Sequence, residues 1–235
     1  MILRLDKMLA HCGYGSRKEV KSFIRKGEVI VNGEIIKNDD YKVDSDKDEV
    51  IVFDESVNYH ELVYIMLNKP DGVVSATYDP FKETVIDLVN EYASYKVFPV
   101  GRLDIDTTGL LLITNDGLLC HKLLAPKSHV DKKYYVDVEG IVTDDDIKKF
   151  NDGVWLDGEL CKPAKLEILE SNNISKCHVT ISEGKYHQVK RMFESVNKKV
   201  IYLKRITFGN LTLDNSLKLG EYRKLTDEEI ELLRN

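Results

Sequence analysis

The sequence predicts an α+β protein of two unequal parts, and three features of its 235 residues carry that expectation. Apolar runs and amphipathic stretches succeed one another without the strict strand-helix alternation of a doubly wound sheet. Charge is split: residues 1–37 hold eight Lys or Arg against four acids, whereas residues 38–60 hold eight acids and two lysines. A basic head with an acidic joint, residues 1–60, therefore precedes a larger domain over 61–235. Within the larger part, the stretch 98–115 sets one charged loop between two apolar runs, 97–100 and 110–113, with Gly101 and Gly109 at the two ends of the turn. Such flanks hold Arg102, Asp104 and Asp106 at the edge of a core, where a carboxylate can be put to chemical use.

With 43% hydrophobic and 31% charged residues and a net charge of -6, the chain reads as soluble and globular. No apolar run approaches membrane-spanning length, and Arg4, Asp6 and Lys7 already charge the first segment, so neither a signal peptide nor a membrane anchor is expected. Cys12, Cys120, Cys161 and Cys177 lie far apart and form no C-x-x-C, which points to thiols in a reducing cytoplasm. The acidic total argues against a polyanionic partner, but the basic head argues for one locally.

In the head, apolar residues at 2, 3, 5, 8, 9 and 10 predict a short amphipathic helix that Gly13 and Gly15 end. Ser16 and Glu19 form a capping box for a second helix, with Val20, Phe23 and Ile24 on one face and Arg17, Lys18, Lys21 and Arg25 on the others. Val29 to Val31, Asn32-Gly33 and Ile35-Ile36 predict a hairpin closed by a type I′ turn. In the joint, Asp44, Asp46, Asp48 and Glu55 fall at calcium-loop spacing. Glu49 stands where that loop needs glycine, and the flanks read as strands, so calcium is rejected. Further on, strands are expected over 63–67, 73–75, 96–100, 132–139, 164–169, 177–182, 199–208 and 211–213. Helices are expected over 84–89, 116–125 with Pro126 as the stop, 143–150, 187–196 and after Thr226.

The run RLDKMLAHCGYGSRKEVKSFIRKGEVIVNGEIIK resembles the S4 (α-L) RNA-binding domain, including the Ser16-Arg17 helix start and the VNG hairpin. That resemblance implies phosphate contacts from Arg17, Lys18, Lys21 and Arg25. Four later segments are dense in polar residues at turns: NKPDGVVS (68–75), GRLDIDTTGLLLITNDG (101–117), DKKYYVDV (131–138) and EGKYHQVKRMF (183–193). Together they are similar to the motifs of pseudouridine synthases, in the branch that carries an N-terminal S4 domain and modifies ribosomal RNA. The resemblance extends from the first residues to about Leu225 and implies a catalytic domain with a mixed, largely antiparallel sheet. It also implies a ribosomal RNA partner, a monomer, and no metal or other cofactor.

By position in GRLD, the resemblance makes Asp104 the catalytic carboxylate, as nucleophile or base. Tyr134 of K-x-Y-x-V is implied to lie against the uracil ring and to receive a proton from carbon 5. Lys190 after HQV is implied to pair with Asp104 and keep it ionised. Lysine lacks the bidentate fork of arginine, so Lys190 and the adjacent Arg191 both stand as that partner. Arg102 is implied to reach the RNA backbone or to prop open the helix the uridine has left. Lys69, Lys185 and Arg205 are further backbone candidates. Asp106 is expected to hold the loop, and His187 to bond a neighbouring loop. The segments IDTTGLLLITNDG and EGKYHQVKRMF most resemble the small-subunit enzymes, which implies a 16S rRNA target of the uridine-516 type, with 23S rRNA as the alternative.

Two rival readings remain at this stage. Asp104-Ile105-Asp106-Thr107-Thr108 matches D-x-D-x-T of the haloacid dehalogenase phosphatases, although Gly101-Arg102 intervenes after the apolar run and no βα alternation follows. A non-catalytic RNA-binding protein would account for the head but not for the four later segments.

Overall fold

Residues 29–35 show how directly local sequence sets this structure: Asn32 and Gly33 both take positive φ, 51° and 83°, and close a hairpin of the kind that only such residues allow. The computed structural model describes residues 2–57, 59, 62–125 and 127–234. The expected stop at Pro126 and the junction at 60/61 lie outside the described residues. The chain divides into two compact units, Met1–Leu62 with Asp116–Leu118, and Val63–Asn115 with Leu119–Asn235.

In the first unit, β1 (Ile2–Arg4) runs into α1 (Leu5–His11), and α2 spans Arg17–Lys26. The sequence-expected helix over 2–11 is thus shorter, because Ile2, Leu3 and Arg4 pair with β4 (Lys42–Asp44) instead. The Ser16–Glu19 capping box is present, and Gly27 ends α2 in the left-handed conformation. Strands β2 (Val29–Val31), β3 (Glu34–Ile35), β5 (Val50–Val52) and β6 (Glu55–Ser56) form a sheet in the order β3-β2-β5-β6. Leu5, Met8, Leu9, Val20, Ile24, Val29, Val43, Val50 and Val52 make one buried cluster.

The second unit is a mixed, largely antiparallel sheet. Its strands are β7 (Tyr64–Lys69), β8 (Phe98–Pro99), β9 (Thr108–Thr114), β10 (Lys132–Glu139), β13 (Lys165–Glu170), β14 (Ile174–Ile181), β15 (Lys199–Phe208), β16 (Leu211–Thr212) and β17 (Tyr222–Lys224). The main path is β13-β14-β10-β15-β9-β7-β17, with β8 on β9 and β16 on β15. Strands β7 and β9 are buried at every residue, which is why 110–113 reads as a continuous apolar run. Strand β10 instead alternates, burying Tyr134, Val136 and Val138. Helix α3 (Gly117–Leu124) contributes its residues from Leu119 onward to this unit, and α4 (Asp144–Asp152), α5 (Gln188–Glu194) and α6 (Asp227–Arg234) complete it. Helix α4 meets α5 through Phe150 and Phe193, 5.0 Å between ring centroids.

Three expectations are corrected. The strand over 73–75 shrinks to a single bridge between Val74 and Thr84. The helix over 84–89 becomes a 3₁₀ segment, Asp87–Tyr95; the Thr84 backbone amide and hydroxyl donate to the Asp87 carboxylate just ahead of it, so 84–86 stay outside the helix. A hairpin, β11 (Trp155–Leu156) with β12 (Glu159–Leu160), appears where none was expected; its Asp157-Gly158 turn, φ 53° and 80°, was the missed signal.

Strands β9 and β15 are parallel neighbours, with Gly109 opposite Arg205. A Cβ on Gly109 would lie 2.3 Å from the Arg205 carbonyl oxygen and 2.8 Å from its nitrogen, and its φ is +99°. Only glycine lets the end of the charged loop approach β15 this closely. Gly109→Ala should therefore lower the unfolding free energy by about 2–4 kcal/mol. Urea unfolding followed through Trp155 in the same unit would measure it.

Candidate active site

The loop 101–107 leaves β8 and enters β9, and its shape is fixed from outside. Ser75 Oγ donates to the Leu103 carbonyl at 2.9 Å and accepts from the Leu103 amide at 3.1 Å. Gly72 donates its amide to the Ile105 carbonyl at 3.0 Å. The buried ammonium of Lys69 donates to the carbonyls of Pro70, Ile105 and Thr107, each at 3.0 Å, so all three of its protons are used. Burial pushes the Lys69 pKa down to about 8, against the upward pull of Asp71, Asp106 and Asp104.

Asp104 stands between these anchors, its side chain 28% exposed. Lys190 Nζ, from the first turn of α5, is 3.5 Å from Asp104 Oδ2 and 2.5 Å from Asp106 Oδ1. One lysine thus bridges two carboxylates that would otherwise repel each other, offsetting one of their two charges. Burial pushes Asp106 up, yet the Lys190 ammonium holds its carboxyl below the ordinary range. His187 Nε2 lies 3.7 Å from Asp104 Oδ1. The turn that aims α5 is locked by the buried Gln188, which donates to Glu183 at 2.6 Å and accepts from the Lys185 amide at 2.9 Å.

Asp104 opens onto a cleft of about 510 Å³ lined also by Tyr134, Thr107, Leu203 and Phe208. Five cations line it, Arg102, Lys132, Lys162, Lys185 and Arg205, against two carboxylates, Asp104 and Glu183. Tyr134 sits across from Arg205 in the β10–β15 register. Burial pushes the Tyr134 phenol up, and Arg205 pulls it part of the way back. Arg205 donates from Nε to the Leu110 carbonyl at 2.8 Å and lies over the Phe208 ring at 5.0 Å. Among the described residues three buried side-chain atoms lack a hydrogen-bond partner, and two of them, Thr107 Oγ1 and Arg205 Nη2, belong to this cleft. Buried polar groups left unpaired in this way mark where a ligand or water completes the bonding.

Residues 63–195 match the model of the RNA pseudouridylate synthase family, and residues 3–50 that of the S4 domain. The chain belongs to the RNA pseudouridylate synthase family. It is 48% identical over 234 residues to an uncharacterized RNA pseudouridine synthase of Bacillus subtilis, covering 98% of both chains. It is 43% identical over 230 residues to ribosomal small subunit pseudouridine synthase A of Escherichia coli, covering 97% of this chain and 98% of that one. A solved pseudouridylate synthase structure, 40% identical, superimposes with a TM-score of 0.72 over 98% of this chain and 99% of the other. The phosphatase reading and the non-catalytic reading are thereby overturned: this synthase is an isomerase of uridine in RNA.

Of the residues expected from sequence, the synthase brings Arg102, Asp104, Tyr134, Lys185 and Arg205 to the one cleft, with Lys190 against Asp104. Arg191 does not share in that pairing; its guanidinium goes to Asp157 at 2.6 Å and to the Tyr186 carbonyl at 3.3 Å. Lys69 and Arg205, expected at the RNA backbone, are both buried; the Lys69 ammonium and Arg205 Nε serve protein carbonyls. Lys185 pairs with Glu159 at 3.0 Å, and Arg102 is exposed at the rim. His187 does face a neighbouring loop, the one that carries Asp104, at ion-pair rather than hydrogen-bond distance. Lys132, Lys162 and Gln188 were missed, although Lys132 is the lysine of K-x-Y-x-V and Gln188 the glutamine of HQV.

In the first unit, the fully buried Asp6 receives Arg4 Nε at 3.0 Å and Arg17 Nη2 at 2.9 Å, with Lys21 Nζ at 3.6 Å. Burial alone would push Asp6 up; Arg4 and then Arg17 bring it down to about 2. Asp39 holds Arg25 at 2.7 Å and Lys21 at 3.8 Å. Three of the four cations expected on this face are therefore oriented by acids, while Lys18 is exposed.

Replacing Lys69 by Met strands three carbonyls and should cost about 1–3 kcal/mol with a loss of turnover. The pH dependence has a definite sign. Because the folded-state pKa of about 8 lies below the ordinary 10.5, the charged form is the costly one in the fold. Relative to Lys69→Met, the wild type should gain stability as pH rises from about 8 toward 10.5, while its turnover falls because a neutral amine has only two protons for three carbonyls. Urea midpoints and initial rates for both proteins across that window check both signs.

Proposed function

We propose that this enzyme isomerises one uridine of 16S ribosomal RNA, with Asp104 as the catalytic carboxylate. The observation that carries the reading is the Asp104 carboxylate at a cationic cleft, 3.5 Å from Lys190, with Tyr134 buried in the same cleft. In this reading Asp104 starts the detachment of uracil from its ribose, and Lys190 keeps it ionised when RNA excludes water from the cleft. Tyr134 lies against the uracil ring, where stacking contributes about 1–3 kcal/mol, and takes the proton from carbon 5. The unpaired Thr107 Oγ1 and Arg205 Nη2 support the reading, since uracil offers two carbonyls and one N–H that would complete them. Arg102 and Lys185 bind the backbone around the extruded nucleotide. Arg17, Lys18, Lys21 and Arg25 of α2 bind phosphates elsewhere on the RNA. Residues 1–60 serve as the RNA-binding part and 61–235 as the catalytic part, acting as a monomer in the cytoplasm.

Support for the 16S target comes from relatives named ribosomal small subunit pseudouridine synthase A, 43% identical over nearly the whole of both chains. The resemblance of IDTTGLLLITNDG and EGKYHQVKRMF to the small-subunit enzymes supports a site of the uridine-516 type. Asp104→Asn should lower turnover by about 10²–10⁴-fold or more while leaving RNA affinity within about threefold. Tritium release from carbon-5-labelled uridine, beside a filter-binding measurement, separates the two. Persistent turnover in the variant would remove Asp104 from the chemistry.

Pseudouridine mapping in both ribosomal RNAs of cells with and without the gene tests the target. One 16S site is expected to disappear. Loss of a 23S site with 16S unchanged would overturn the assignment and leave the isomerase standing.

A further inference from the structure

Beside Asp104 the protein holds two aromatic rings in the arrangement of stacked bases. The rings of Tyr186 and His187 lie 3.8 Å apart with 17° between their planes. The inner ring, His187, lines the cleft and puts Nε2 3.7 Å from Asp104 Oδ1. The outer ring, Tyr186, is 75% exposed. Exposed aromatic residues are common and by themselves mean little. This one differs because its ring continues, in parallel, a group that touches the candidate catalytic carboxylate.

The backbone is shaped to present the pair. His187 takes φ 48°, ψ 33°, a left-handed conformation that is uncommon for a residue with a Cβ and costs on the order of 1 kcal/mol or more. It is held there from α5: the Arg191 amide donates to the His187 carbonyl at 3.0 Å, and the Arg191 guanidinium donates to the Tyr186 carbonyl at 3.3 Å. That guanidinium is in turn fixed by Asp157 at 2.6 Å. The two ring contacts set the Tyr186 ring one aromatic layer out from the side chain that faces the Asp104 carboxylate. Cations of the cleft wall, Arg102 and Lys185 among them, are at hand for the phosphates on either side.

We infer that Tyr186 is an RNA-binding residue that stacks on a base adjacent to the target uridine, so that His187, Tyr186 and that base form one column while the uridine is extruded. The inference rests on the RNA-modification reading above and assigns the neighbouring base a protein partner. An extruded nucleotide leaves its neighbours unstacked, and an aromatic face replaces what they lose irrespective of base identity.

The test couples protein and RNA substitutions, using the full-length enzyme and a ribosomal RNA transcript that contains the target. Tyr186→Ala and Tyr186→Leu should lower kcat/KM by about 5- to 150-fold, the equivalent of about 1–3 kcal/mol per stacked base, and Tyr186→Phe should restore it. Transcripts made abasic at one position on either side of the target are then assayed. At the contacted position the wild type should lose the same factor, and Tyr186→Ala should lose nothing further. Abasic losses that are equal in wild type and Tyr186→Ala would overturn the inference and leave the ring as a support for His187 alone. So would Tyr186→Leu activity within twofold of wild type. A wild type that isomerises no ribosomal RNA transcript would overturn the substrate reading and this inference with it, whereas an active enzyme without coupling overturns the inference only.

Discussion

The buried ammonium of Lys69 is the constraint on which the candidate site depends. A loop of charged residues that runs from the half-buried β8 into the fully buried β9 has backbone carbonyls that no strand partner satisfies, and such groups are costly away from water. Lys69 meets two of them, Ile105 and Thr107, together with the carbonyl of its own neighbour Pro70, while Ser75 meets the loop at Leu103 and Gly72 again at Ile105. The loop is thereby tied to the sheet edge it leaves. Asp104 can then be held at one position by its backbone, and Lys190 has a fixed target.

The absence of a Cβ on Gly109 permits the close contact at the loop's other end. Gly109 lets β9 run parallel against β15, which brings Arg205 under Tyr134 and both into the cleft. The cleft is thus assembled from separated segments of the second unit: GRLD, K-x-Y-x-V, EGK-x-HQV and the β15 arginine. Its five cations belong to a protein whose net charge is -6, so attraction of a polyanion is a local property of the cleft and of the α2 face rather than of the whole. On the α2 face, buried Asp6 and half-buried Asp39 hold cations in fixed directions, which reduces the side-chain entropy that binding a phosphate would otherwise cost.

Reactivity in such a site depends on separating charges that share a small volume. Lys190 lies closer to Asp106 than to Asp104, so its charge is divided, and Asp104 keeps an oxygen facing His187 and the cleft. Asp106 therefore does more than stabilise a turn: it holds the lysine that faces the candidate catalytic carboxylate. The single-copy geometry of the pair follows from α5, whose start is set by Gln188 and Glu183.

Much of this protein was legible in the sequence because its signals are short-range. The Asn32-Gly33 turn, the Ser16 cap, the alternation of β10 and the length of β15 each follow from a few neighbouring residues, and the strands over 132–139 and 199–208 were placed at their observed bounds. The same holds for GRLD and HQV, whose order and spacing identify the family. What short-range signals could not give was partnership across the fold. Lysine and arginine look alike as solvent-facing cations in a sequence, yet Lys69 and Arg205 are buried, Arg191 turns to Asp157, and Lys190 alone of the two neighbours meets Asp104. Those outcomes depend on which strands lie side by side and which face of α5 looks inward, and a charged side chain takes the partner that burial leaves within reach.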